Sequence, residues 1–262
     1  MKNVFSYLII SILASIVFIS CKKNTDSTPQ ICYLSTVSNP KGNVLEIMTY
    51  DANNRLITYK NDSANVTYNF TYNTQNLVDK INVAYKVGSK IYTFVATFTY
   101  DGTGKATKSI TTLNDKLYQT DMYAYNINAQ LTNILSTDSQ GEIDALRFEY
   151  LGDNIAKVYQ KLDNDKEYLY YEITKFDDKK SIYPEAFKAL AMGFAGLVDD
   201  FSYLNKNNTL SEKYYEDDKS VFFSADNTFE YNSTLQPIKV TSTIVDSGHK
   251  STGVQSFQYN CK

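Results

Sequence analysis

Phe98-Thr99-Tyr100, followed at once by Asp101-Gly102-Thr103-Gly104, is the stretch that decides the fold of this chain. Residues two apart in a strand share a face, so Phe98 and Tyr100 point to one side of a strand and Thr99 to the other. Asp and Gly after the tyrosine favour a tight turn, because both tolerate left-handed backbone. The stretch therefore predicts a strand that ends in an aromatic pair and then turns back.

This aromatic-x-Tyr pair recurs along the chain at intervals of roughly 25 residues. The other copies are Met48-Thr-Tyr50, Phe70-Thr-Tyr72, Tyr123-Ala-Tyr125, Phe148-Glu-Tyr150, Phe229-Glu-Tyr231 and Phe257-Gln-Tyr259, with a weaker one at Thr174-Lys-Phe176. Each interval holds two strands and two turns, which predicts roughly fourteen antiparallel strands. A flat sheet of that size curls, and closure removes its exposed edges. We predict an all-β fold over residues 31–262, a single large curled antiparallel meander or barrel.

One stretch breaks the hairpin pattern. Between residues 184 and 201, apolar residues recur at three- and four-residue steps, which predicts a helix. They are Phe187, Leu190, Ala191, Phe194, Leu197, Val198 and Phe201. The opposite face is small rather than charged, so we expect this helix to be buried inside the curl or to cap one of its ends.

The first 30 residues have the pattern of an export signal and a tether. A lysine precedes the apolar run Val4–Ile19, the order typical of secretory signal peptides. Ser20-Cys21 after this run resembles the bacterial lipobox, with Phe18 where Leu is commonest. We predict a lipoprotein signal peptide over residues 1–20, a diacylated Cys21, and a polar lipid-anchored tether over residues 21–30. An ordinary secretory signal with an incidental cysteine is the alternative.

The tether also indicates the membrane to which the chain would be attached. Lys22 and Lys23 follow the cysteine, where an acidic residue would suggest retention in the inner membrane. We therefore predict an outer-membrane lipoprotein whose partner is the membrane itself, through the lipid. The tether holds a single acidic residue, Asp26, so the periplasmic and surface faces both stay open.

The lipobox, the aromatic pairs followed by Asp or Asn, and the closing Phe257-Gln-Tyr-Asn-Cys261 resemble a family of Bacteroidota lipoproteins of unknown function with a porin-like fold. The pairs and turns also resemble, more loosely, the YD repeats of secreted Rhs-type shells. This resemblance extends over about residues 31–261 and implies a curled antiparallel barrel. It brings no catalytic residue to the chain.

Composition excludes several classes of function. The chain has 26 Lys and Arg against 29 Asp and Glu, a net charge of −3, so we expect no nucleic-acid partner. One His and three Cys leave too few ligands for a zinc site and no Ser-His-Asp or Cys-His arrangement. We expect no cofactor, no metal and no enzymatic activity. The prediction is a binding module of the cell envelope, for a glycan, another small ligand or an envelope protein; a purely structural component and a transmembrane β-barrel are the alternatives.

Cys32 and Cys261 are the cysteines that remain once Cys21 carries lipid. Export would place them in an oxidising compartment, where disulfides persist. Cys32 lies in the first predicted strand and Cys261 just after the last, and closure of the sheet brings these strands side by side. We predict a disulfide between them, with two unpaired thiols as the alternative.

The predicted ligand site lies where the helix meets the aromatic strand faces, because the repeat is broken only there. Its expected lining combines aromatic rings and hydroxyl groups, as small-molecule pockets do. The lining residues are Tyr183, Phe187, Phe194, Tyr203, Tyr214 and Tyr215. The alternative is that Gly193 and Gly196 let the helix pack tightly on the sheet and leave no cavity.

Three further patterns carry weaker expectations. The 23 Tyr and 14 Phe could stack on sugars, but their regular spacing favours cross-strand pairs that hold the sheet together. The acidic groups at Asp177-Asp178, Asp199-Asp200 and Glu216-Asp217-Asp218 lack the spacing of a calcium loop and predict solvated turns. Asp62-Ser63-Ala64 and Asp26-Ser27-Thr28 resemble the O-glycosylation signal of exported Bacteroidota proteins.

Overall fold

The computed structural model describes residues 31–162, 166–195 and 200–262. Sixteen strands among these residues form one closed antiparallel barrel, in which consecutive strands pair and the last strand pairs with the first. The predicted all-β barrel is confirmed, with sixteen strands where the sequence predicts roughly fourteen. The signal peptide at 1–20 and the tether at 21–30 lie outside the described residues and stay predictions.

The strands follow one another around the barrel in chain order. They are β1 Cys32–Ser38, β2 Val44–Tyr50, β3 Leu56–Asn61, β4 Val66–Tyr72, β5 Val78–Val87, β6 Lys90–Tyr100, β7 Ala106–Leu113, β8 Lys116–Tyr125, β9 Leu131–Asp138, β10 Ile143–Leu151, β11 Asn154–Leu162, β12 Tyr168–Lys180, β13 Asn207–Tyr215, β14 Val221–Tyr231, β15 Pro237–Asp246 and β16 His249–Cys261. The connection from β12 to β13 contains helix α1 (Ala186–Gly193) and a short 3-10 helix (Phe201–Leu204).

One turn geometry recurs where the aromatic pairs end. Asp101 Oδ1 accepts the backbone N–H groups of Thr103 at 2.8 Å and Lys105 at 3.0 Å, and Gly104 between them has a φ of 87°. The same pair of bonds forms at Asp51, Asn73, Asn126 and Asn232. The Asp or Asn after each tyrosine thus fixes the hairpin turn, which is the physical reason for its recurrence.

In five of the pairs the tyrosine ties its strand to the preceding one. Tyr100 Oη donates a hydrogen bond of 2.6 Å to the backbone oxygen of Val78. The equivalent bonds run from Tyr50 to Leu34, Tyr72 to Leu56, Tyr150 to Leu131 and Tyr259 to Pro237. The regular aromatic residues therefore hold the barrel together.

Closure of the barrel places the start of β1 beside the end of β16. Cys32 on β1 lies opposite Cys261 on β16, and the predicted disulfide between them is present. Both residues lie at the end where the aromatic pairs turn. We call this end the mouth and the opposite one the far end.

Most buried side chains of the inner face are apolar, and ion pairs lie on the outer face. On β10, Leu146 and Phe148 are buried, while Arg147 between them pairs outside with Glu149 at 2.7 Å and Glu167 at 2.8 Å. Further ion pairs join Lys157 to Glu172 and Lys239 to Glu230.

Helix α1 lies inside the barrel, as its apolar periodicity predicts. Phe187 and Leu190 are buried against the strands. The helix is shorter than the predicted 184–201, because it begins at Ala186 and ends at Gly193, and a 3-10 helix covers Phe201–Leu204. Gly196, Leu197 and Val198 lie outside the described residues. An added Cβ at Gly193 would lie 2.6 Å from Cζ of Phe98, so the close packing of α1 on β6 requires a glycine here. Glycine is also a poor helix former.

Polar side chains of β7 and β8 fasten the end of α1. They donate hydrogen bonds to backbone oxygens that the helix leaves free. The bonds run from Thr111 Oγ1 to Gly193 at 2.9 Å, from Tyr123 Oη to Met192 at 3.1 Å and from Gln119 Nε2 to Ala195 at 3.1 Å. Beneath them the buried Asp121 accepts from Ser109, Gln119 and Ser136, and burial raises the pKa of this carboxyl. The helix is therefore held at a fixed depth.

Candidate ligand site at the barrel mouth

A cavity of about 1000 Å³ lies inside the mouth, between α1 and the inner faces of the strands. Ala189 and Met192 of the helix line it, together with Phe98 of β6. The aromatic pairs supply much of the remaining wall. Their lining residues are Tyr50, Tyr72, Tyr100, Tyr125 and Tyr259. The volume lies at the upper end of the range for small-molecule sites, about 300–1,000 Å³.

The hydroxyl groups of this wall are largely engaged. Tyr50, Tyr72, Tyr100 and Tyr259 each donate to a backbone oxygen of the neighbouring strand. Burial raises the pKa of Tyr72 and Tyr100 to about 12, so these hydroxyls remain protonated donors at neutral pH. The wall therefore offers a ligand aromatic surface but few hydroxyl groups that can donate a hydrogen bond to it.

Charged side chains surround the cavity entrance, and most of them are paired. Three of its four basic lining residues form ion pairs, while Lys180 is exposed. The pairs are Arg55 with Asp51 at 2.7 Å, Lys179 with Asp178 at 2.6 Å and Lys188 with Glu185 at 2.8 Å. Arg55 also lies 4.7 Å from the ring centre of Tyr72. Little net charge is thus left at the entrance to attract a strongly ionic ligand.

Of the six residues predicted to line a ligand site, Tyr183 lines this cavity. Its ring stacks on Phe187 at 5.6 Å and meets Tyr203 edge-on at 4.5 Å, so the structure brings these three together. Phe187 is buried, and Tyr203 lines a smaller cavity of about 260 Å³ beside the helix.

The other three predicted residues lie elsewhere. Phe194 is buried at the end of α1, against Phe94. Tyr214 packs on Tyr171 of β12, and Tyr215 donates a 2.8 Å hydrogen bond to Glu172. The structure therefore does not gather the six into one lining, and their role in binding stays a prediction.

Three carboxyl groups, those of Glu46, Asp200 and Glu212, lie inside the barrel among tyrosines. The sequence analysis predicts no such cluster. Tyr171 Oη donates to Glu212 at 2.6 Å, and burial together with the nearby Asp200 raises the pKa of Glu212 to about 7. Burial also raises the pKa of Glu46 and of Asp200. None of the three lines the mouth cavity. Burial therefore favours the protonated form of all three carboxyl groups.

The structure corrects the predicted environment of Asp200, and it shows that strand alternation marks Glu46 as an inner-face residue. The solvated turn predicted at Asp199-Asp200 is wrong for Asp200, which accepts the Ser202 N–H at 3.0 Å and caps the 3-10 helix inside the barrel. Glu46 lies two residues before the buried Met48, so strand alternation places it on the inner face. The same alternation applies to Glu212, which lies two residues before Tyr214 on one face of β13.

The structure also bears on metal binding, membrane-spanning helices and the predicted glycosylation sites. Within residues 31–162, 166–195 and 200–262, no group of three His, Cys, Asp or Glu side chains could hold a metal ion. The helices in that part of the chain are too short or too polar to cross a membrane. Ser63 is exposed in the turn after β3, and its hydroxyl donates to Asn61 at 2.6 Å. Cys21 and Ser27 lie outside the described residues.

Comparison with known proteins gives distant structural similarity. No family model and no curated protein matches this chain. A porin-like protein from Bacteroides uniformis is 13% identical, with a TM-score of 0.47 over 83% of this chain and 89% of that one. Structures of TcdB2-TccC3 and TcdB2-TccC3-TEV are 14% and 13% identical, with TM-scores of 0.34 and 0.33. The matches cover 85% and 86% of this chain but 13% and 14% of those, so the fold assignment rests on the strand pairing of this chain itself.

Proposed function

We propose that this chain is a non-enzymatic lipoprotein of the outer membrane that binds a small ligand, a glycan or another small molecule, in the mouth cavity. The observation that supports the proposal is the cavity itself. Helix α1 packs closely on the strands at Gly193, yet about 1000 Å³ stays open on its mouth side. A purely structural barrel would be more stable with this space filled by side chains.

The charged outer face supports an anchored barrel over a membrane-spanning one. Arg147, Glu149 and Glu167 form an ion-paired group on the outer surface of β10 and the segment before β12. Placing such charges against lipid costs several kcal/mol at the bilayer midplane, roughly 2–4 kcal/mol for an Arg. The membrane attachment we propose is therefore the lipid on Cys21, and no cofactor or nucleic acid takes part.

A binding screen tests the ligand proposal. Residues 21–262 with Cys21→Ser would be screened against glycans, fatty acids and phospholipids, because the whole barrel lies within residues 32–261. Ala189→Trp fills the cavity from the helix, and Ala84→Trp places the same side chain at an exposed position on β5. We expect one ligand class to bind the parent and Ala84→Trp but not Ala189→Trp. Absence of binding in the parent would contradict the proposal.

Processing of the precursor tests the anchor. Cys21→Ala in the full chain should leave an uncleaved precursor or release the protein from the membrane fraction. Ser139→Ala serves as the control, because this residue is exposed in the turn after β9 and should affect neither lipidation nor folding. Unchanged processing and membrane association of Cys21→Ala would argue that the lipobox interpretation is wrong.

A further inference from the structure

We infer that the barrel mouth faces the membrane and that its cavity takes up the acyl chain of a lipid. The inference rests on the proposed function, since it names the ligand class and the orientation of the same site. Three observations support it: the chemistry of the cavity wall, the point at which the chain leaves the barrel, and the apolar residues at the tips of the mouth turns.

The wall suits an acyl chain better than a glycan. A glycan needs many hydrogen-bond partners, but four lining tyrosines already donate to backbone oxygens of their own sheet. Phe98, Ala106, Ala189 and Met192 add apolar side chains to the lining. A flexible hydrocarbon chain gains from burial against such a surface, at about 0.8 kcal/mol for each CH₂ group.

The chain leaves the barrel at the mouth. Ile31 lines the cavity entrance and pairs with Lys262 through two backbone hydrogen bonds. Cys21 is ten residues before Ile31 in the sequence, and ten residues span at most about 35 Å. A lipid on Cys21 would therefore hold the mouth within about 35 Å of the bilayer surface.

Two turns at the mouth carry an exposed apolar side chain at the tip. Ile127 is 100% exposed and Leu235 59%. Two more exposed apolar residues lie beside the mouth, Ile31 before β1 at 60% and Leu151 at the end of β10 at 68%. At the far end the exposed apolar side chains lie in strands, among them Ile91 at 63%, and the described turns are polar at their tips, as at Asn114-Asp115 and Ser247-Gly248. Apolar turn tips beside a cavity entrance suit contact with the interface of a membrane.

A fluorescent fatty acid tests the ligand class. Residues 21–262 with Cys21→Ser would be titrated with a dansylated fatty acid and, in parallel, with a panel of oligosaccharides. We expect saturable one-to-one binding of the fatty acid, with Kd raised at least about tenfold in Ala189→Trp and unchanged in Ala84→Trp. Ala189→Leu, a smaller change, keeps the test valid if the Trp variant unfolds, and should raise Kd by a smaller factor.

The outcomes separate this inference from the proposed function. Oligosaccharide binding that Ala189→Trp abolishes, without fatty-acid binding, would overturn the acyl-chain inference and keep the proposed function. No binding of either class would overturn both. Fatty-acid binding that Ala189→Trp leaves unchanged would place the ligand outside the cavity and overturn the inference.

A single introduced tryptophan tests the orientation, because the chain contains none. Ile127→Trp marks a mouth turn and Ile91→Trp marks the far end. The full-length lipidated protein would be reconstituted into vesicles of brominated phospholipid, which quenches nearby tryptophan. We expect quenching of Ile127→Trp and none of Ile91→Trp. The reverse result, or equal quenching, would overturn the orientation, whereas failure to associate with vesicles would contradict the lipid anchor itself.

Discussion

At the scale of single residues, Glu212 couples the stability of the barrel to pH. Burial and the Asp200 carboxyl raise its pKa from 4.5 to about 7 in the folded chain. The folded state therefore disfavours the ionised form, and stability falls as pH rises from about 4.5 through about 7. Glu212→Gln removes this penalty and still accepts the Tyr171 hydrogen bond. We expect a higher Tm than the parent at about pH 8 and a similar Tm at about pH 5.

Glu216→Gln is the control for this experiment, because Glu216 is exposed in the turn after β13. Its effect on Tm should be small and the same at both pH values. A Tm difference between Glu212→Gln and the parent that does not change with pH would contradict the buried position of this carboxyl.

The tyrosine hydroxyls at the mouth give a second prediction. Tyr100→Phe removes the 2.6 Å hydrogen bond to the Val78 oxygen and leaves the ring in place. We expect a loss of about 1 kcal/mol in the free energy of unfolding, the ordinary value of such a bond. Tyr85→Phe, at a position that is 40% exposed, is the control and should be near neutral. Denaturant unfolding measures both, and equal losses would show that the hydroxyl bond has no special role.

The sequence allows a residue's role to be predicted where that residue acts within its own hairpin. Tyr100 and Asp101 are adjacent, and each acts on its own hairpin, so their repeat could be read directly. The closeness of Glu46, Asp200 and Glu212 depends on strands and a helical segment far apart in the chain. Distances of that kind are set by barrel closure, which no local pattern encodes.

At the scale of elements, Gly193 fixes how deeply α1 lies in the barrel. A Cβ there would be 2.6 Å from Phe98 Cζ and 3.2 Å from Ala96 Cβ. Gly193→Val should therefore destabilise the protein by about 2 kcal/mol through overpacking. Gly253→Val on β16 is the matched control, because no atom lies within 4 Å of its Cβ position. A stability loss of equal size in both variants, measured by denaturant unfolding, would rule out close packing at Gly193.

The same glycine shows the limit of helical periodicity. The apolar spacing from residue 187 to 194 correctly predicts a buried helix, because that spacing reflects the inner face. It overestimates the length of the helix, since periodicity does not register the close contact with Phe98 that makes a glycine necessary. The spacing also leaves open whether the helix packs tightly or leaves a cavity, because the tyrosine lining of the mouth cavity depends on strands all around the barrel.

At the scale of the whole molecule, the disulfide secures barrel closure. Cys32 and Cys261 enclose 229 residues, so replacing both with Ser should cost at most about 5 kcal/mol on the chain-entropy account. We expect hydrogen exchange to accelerate first in β1 and β16, which the bond joins, and least in β8 and β9, on the opposite side of the barrel. Unchanged stability, or uniform acceleration in all strands, would contradict a closing role.

The central claim is that this barrel is a lipid-anchored protein with a ligand in its mouth cavity. Native mass spectrometry of the full-length protein, extracted from the membranes of the cells that produce it, tests this claim most directly. We predict the mass of a chain that begins at a lipidated Cys21, plus one non-covalent small molecule that is absent from Ala189→Trp and retained by Ala84→Trp. A mass that corresponds to the unlipidated chain without any bound molecule would contradict the account.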